Sequence, residues 1–67
     1  MKIVETGGLY HYEVRGERET EAAAELERKL DILSHDYSRP SAYVGMDMAD
    51  TVADVRKSYG VEIKAAI

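Results

Sequence analysis

His11 and Glu13 stand two residues apart in Leu9-Tyr10-His11-Tyr12-Glu13-Val14, where an extended strand would place both on one face. Together they could contribute two ligands to a metal. A zinc site asks for at least three protein ligands, and the chain offers no cysteine and one other imidazole, His35 beside Asp36. No metal and no other cofactor is expected. Nucleophilic catalysis needs a hydroxyl or thiol beside an oriented base. The serines are Ser34, Ser38, Ser41 and Ser58, none of them in a Gly-x-Ser-x-Gly turn. Ser34 adjoins His35, but neighbouring side chains on a helix point in different directions. The glycines form neither a phosphate loop nor a dinucleotide fingerprint. A chain this short has little room for a water-excluding pocket, so the expected role is not enzymatic.

Two other groupings suit recognition better than catalysis. The first is Tyr37, Arg39, Ser41 and Tyr43, which gathers two aromatic rings, a guanidinium and a hydroxyl around Pro40. Such a loop could hold a phosphate or stack a base, which makes an oligomeric phosphate or nucleotide binder the alternative reading. The plain alternative is a helix-to-helix connection whose tyrosines close one end of the core. The second grouping is acidic: Glu17, Glu19, Glu21, Glu25 and Asp31 fall on and just before a helical segment, where they would present a negative face to a basic surface.

Composition limits the partners. With 67 residues the chain holds one domain, because two cores would each be too small to bury their own apolar surface. Thirteen acids against nine bases give a net charge of −4, and the bases are scattered. Direct binding to nucleic acid is therefore not expected. No apolar run approaches the roughly 20 residues needed to span a bilayer, so no membrane role is expected. The absence of cysteine and of a secretory leader at Met-Lys-Ile-Val-Glu-Thr-Gly-Gly point to the cytoplasm. A core of this size seldom supplies more than about 3–5 kcal/mol, and neither disulfide nor thiolate metal site can supplement it. Self-association, most simply a homodimer, is the expected remedy.

The elements that must position these residues follow from local signals. Gly7-Gly8 is a hairpin turn signal between Lys2 to Glu5 and Leu9 to Val14. Tyr10, Tyr12 and Val14 share the strand face expected to meet the core. A helix is predicted over about Thr20 to His35, capped by Thr20, with Ala23, Leu26, Leu30, Leu33 and Tyr37 as its apolar stripe. Pro40 breaks the chain, and a loop or short helical turn is expected through Gly45. Asp47 should cap a second helix bearing Met48, Val52, Val55 and Tyr59 on one face, with Gly60 as its left-handed end. A helix-turn-helix outline over Ala42 to Tyr59 is conceivable, but Asp47, Asp50 and Asp54 stand where DNA would want bases. Val61 to Ile67 reads as a closing strand. The order is β-β-α-α-β, and the expected fold is α+β, a three-stranded antiparallel sheet against two helices.

The function these features favour is a small acidic binding protein, an inhibitor or adaptor that occupies a basic surface of a larger protein complex. Small acidic proteins of phages and other mobile elements that block host nucleic-acid-handling or defence machinery share this physique.

Overall fold

The computed structural model describes all residues except 7–9, 39 and 67, and the side chains of residues 6, 10 and 41 also lie outside the description. The chain forms β1 (Lys2–Thr6), β2 (Tyr10–Arg15), α1 (Glu19–Ser34), α2 (Ser41–Tyr59) and β3 (Glu62–Ala65). The three strands make one antiparallel sheet in the order β1-β2-β3. The fold is therefore α+β, a three-stranded sheet with two helices on one face.

Register shows how the sheet acquires two unlike faces. Val4 lies opposite Tyr12, and Val14 is flanked by Lys2 on one side and Ile63 on the other. Val4, Val14 and Ile63 are buried beneath the helices, with Tyr12 half-buried at the margin. The alternate positions, Ile3, Glu5, His11, Glu13, Arg15, Glu62 and Lys64, fall on the uncovered face, as period-two alternation requires. The expected Tyr12 and Val14 core face is thus present. The Gly7-Gly8 turn and the Tyr10 side chain lie outside the described residues.

The first helix begins before Thr20. Glu19 N–H donates to the Gly16 carbonyl at 3.2 Å and Ala22 N–H to the Arg18 carbonyl at 2.9 Å. The turn after Gly16 thus starts the helix with backbone acceptors. Arg18 is the capping residue, without a side-chain cap, and Thr20 is an exposed helical residue. Ala22, Ala23, Leu26 and Leu30 are buried and Leu33 is half-buried, so Ala22 joins the stripe. Tyr37 does not: the helix ends at Ser34, the stripe loses its period, and Tyr37 is 88 % exposed.

The second helix departs furthest from expectation. It starts at Ser41, six residues before Asp47, with Pro40 as capping residue at φ −57 and ψ 141. Tyr43 N–H donates to the Pro40 carbonyl at 2.9 Å, which fixes the first turn. Gly45 lies inside the helix, where it costs about 1 kcal/mol relative to alanine. Val44 and Met48, one turn apart, both meet the core and offset that cost. Asp47 lies inside the helix and is not its N-cap; its carbonyl accepts a hydrogen bond from Thr51 Oγ1 at 2.8 Å. One continuous helix over Ser41–Tyr59 also removes the helix-turn-helix outline. Its far end is as expected, with Gly60 at φ 62 and ψ 34.

The core is aliphatic: Met48, Val52 and Val55 from α2 meet the α1 stripe over the sheet, and Val61 fills the entry to β3. Gly16 is held open by Val61, whose Cγ1 would lie 3.0 Å from an added Cβ at a φ of +149. Arg56 donates to the Ile63 carbonyl at 2.6 Å, fastening the end of α2 to β3.

Candidate functional site

His35 is the residue that closes α1, so it leaves the helical path and its ring returns to Ser34, with Oγ and Nδ1 3.2 Å apart. The two side chains therefore meet, contrary to the sequence expectation. His35 Nδ1 also lies 2.8 Å from the Asp31 carbonyl and must be the protonated nitrogen to bond it. That nitrogen then has no lone pair to take a proton from Ser34, whose hydroxyl itself donates to the Asp31 carbonyl at 2.8 Å. The arrangement closes a helix end and does not activate a nucleophile. His11 pairs across the strands with Glu5, Nδ1 to Oε1 3.3 Å, and not with Glu13. Among the described residues no group of three or more His, Asp or Glu side chains could hold a metal ion.

The tyrosine grouping is only partly described. Tyr37 stands exposed in the connection, Tyr43 is in the first turn of α2 and 53 % exposed, and Arg39 and the Ser41 side chain lie outside the described residues. Asp36 accepts from the Ser38 N–H at 3.2 Å and from its hydroxyl, which turns the chain toward Pro40.

The acidic residues are spread around α1 by its period of 3.6 and differ in engagement. Glu17 precedes the helix and is exposed. Glu19 is half-buried in the first turn, its Oε2 2.7 Å from the Met1 amino nitrogen but without hydrogen-bond geometry. Glu21 is bonded to Arg18 at 2.8 Å. Glu25 lies 3.8 Å from Lys29 and 3.9 Å from Arg28, and its charge is felt by the Tyr59 phenol. Asp31 is exposed, 3.5 Å from His35 Nδ1. Glu21 and Glu25 therefore belong to a cluster with Arg18 and Tyr59 that closes one end of the helix pair. Arg18 lies over the Tyr59 ring at 4.6 Å, and its bond to Glu21 raises its pKa. The Tyr59 phenol is raised above 10.0, first by burial and then by the Glu25 charge.

Comparison with protein-family models, with curated proteins and with solved structures finds no match. The residues carry the reading alone.

Glu27, Asp50 and Asp54, which the sequence did not assign to the acidic face, are exposed as well. Glu27 and Asp31, one turn apart, line a shallow open groove of about 380 Å³ with Glu5, Ala24 and Arg28. Asp50 and Asp54 lie exposed on α2 and form no ion pair among the described residues. Both fall inside the helix expected after Asp47, so their i, i+4 spacing was the available signal. With both helices defined, charge separates by layer. α1 holds five acids and two bases, α2 holds three and two, and the remaining five acids and five bases balance. The net charge of −4 therefore sits on the helices. No helix among the described residues is long and apolar enough to cross a membrane.

Proposed function

We propose that this chain is a non-enzymatic binding protein whose helical layer occupies a basic surface of a larger protein, as an inhibitor or adaptor, in the cytoplasm. One observation carries the reading: the whole net negative charge lies on α1 and α2, while strands and connections are neutral in sum. A one-sided field of that kind steers a basic partner toward the helices and turns nucleic acid away. The attachment surface includes Asp31, Glu27, Asp50 and Asp54, with Glu17 at its edge. Glu21 and Glu25 add field, but Arg18, Arg28 and Lys29 partly offset them. A machine that handles nucleic acid, such as a host-defence complex, presents basic grooves of the required sign.

The test is capture from a lysate of the native host, with the wild-type chain and a variant carrying Glu27→Lys, Asp31→Lys, Asp50→Lys and Asp54→Lys. Wild type should retain a protein with a basic surface and release it as salt shortens the Debye length from about 10 Å toward about 3 Å. The reversed chain should lose it. A partner held equally by both chains at high salt would overturn the proposal.

A further inference from the structure

The structure leaves an apolar end on this acidic layer. Arg18 at the start of α1 meets Tyr59 at the end of α2, and residues 35–40 join the other two ends, so the helices are antiparallel. At the joined end stand four of the six large apolar side chains that are exposed among the described residues: Ile32 at 59 %, Tyr37 at 88 %, Tyr43 at 53 % and Met46 at 62 %. Such clustering at one end is not the scatter of single apolar residues that a surface ordinarily carries.

Element lengths explain why these side chains stay more than half exposed. The 19 residues of α2 extend about 28 Å, whereas strands of four to six residues reach only about 13–20 Å. The end of α2 is fixed to the sheet through Gly60, Val61 and the Arg56 bond to Ile63, so the surplus length lies at its beginning. From Ala42 to Asp47 no side chain is fully buried; the buried positions start at Met48.

Charge selects the occupant. Tyr43, Met46, Asp50 and Asp54 follow one another at spacings of three and four, which places them on one outward stripe opposite Met48, Val52 and Val55. No base occurs in α2 before Arg56. The stripe is thus apolar at its start and anionic about 6–16 Å further along.

Resting on the binding role proposed above, we infer that this stripe, with Ile32 beside it, docks a cationic amphipathic helix of the partner protein. The partner's apolar residues cover Tyr43, Met46 and Ile32, and its lysines or arginines follow along the axis to face Asp50 and Asp54. Apolar contact at the centre of an interface supplies affinity, and the flanking charges fix orientation.

The probe is a fluorescein-labelled Leu/Lys peptide patterned as an amphipathic helix, followed by anisotropy against a shuffled peptide of equal composition. Wild type should bind the patterned peptide about tenfold more tightly than the shuffled one. Tyr43→Ser with Met46→Ser should remove that preference. Two double reversals that change the net charge equally are then compared, Asp50→Lys with Asp54→Lys on α2 and Glu27→Lys with Asp31→Lys on α1. The α2 pair should weaken binding about tenfold more than the α1 pair. Melting curves establish that each variant is folded, and Asp50→Asn with Asp54→Asn replaces any reversal that is not. Equal weakening by the two pairs leaves the general acidic reading standing and overturns the docking stripe. Equal binding of both peptides, or none of the patterned one, also overturns it, while host capture judges the binding role independently.

Discussion

At the residue scale the most informative side chain is Tyr59. Its ring supports Arg18, and burial together with the nearby Glu25 carboxylate raises its pKa above 10.0. A phenol that is harder to ionise when folded stabilises the fold in full below the unfolded value. That contribution is lost as pH rises from about 10 through the folded value, because there the unfolded chain releases the proton first. The melting temperature of wild type should therefore fall more steeply than that of Tyr59→Phe between neutral pH and strongly alkaline solution. Parallel curves would show that the raised phenol has no part in stability. The sequence placed Tyr59 on the buried face of its helix, and that holds. It could not place Arg18 or Glu25 against it, because those contacts join residues more than thirty positions apart. The Glu5 to His11 pair joins residues only six positions apart, but it depends on a hairpin register that a strand as short as Lys2 to Glu5 cannot fix by itself.

At the scale of elements, the first helix was legible because Ala23, Leu26 and Leu30 keep the helical period over about two turns and all three are buried. Leu30 has no exposed surface, so Leu30→Ala should cost about 2–5 kcal/mol, measured by denaturant unfolding. A variant as stable as the parent would refute the packing of α1. The start of α2 was not legible. Pro40 and Gly45 both argue locally against helix, yet Pro40 precedes the first helical residue and Gly45 is carried by the packing of Val44 and Met48. An added Cβ at Gly45 would meet no atom within 4 Å. Gly45→Ala should therefore raise stability by about 0.5–1 kcal/mol, while Gly60→Ala, forced to a φ of 62, should lower it. Gly45→Ala that destabilises would show that the helix does not run unbroken from Ser41. The acidic residues were legible as a group but not as a surface, since which of them Arg18, Arg28 and Lys29 engage depends on the fold.

At the scale of the whole molecule, the radius of gyration is 11.3 Å, against about 10.9 Å for a compact chain of this length, and the extents are 35 × 21 × 16 Å. The excess follows from the helices outreaching the sheet. Both β1 and β3 are edge strands, which another copy can extend, and self-association remains our proposal. Sedimentation at micromolar concentration should give a mass that rises toward the dimer, and a monomer at every concentration would refute it. The strand order also has a kinetic meaning. The β1 and β2 hairpin forms between near neighbours, but the Val14 to Ile63 pair joins residues 49 positions apart across both helices. Closing a loop of that length opposes folding by about 3–4 kcal/mol before any contact rewards it. The third strand should therefore arrive last, after the barrier has been crossed. Ile63→Val should then speed unfolding while leaving the refolding arm of the chevron unchanged, and slowed refolding would place β3 in the nucleus instead.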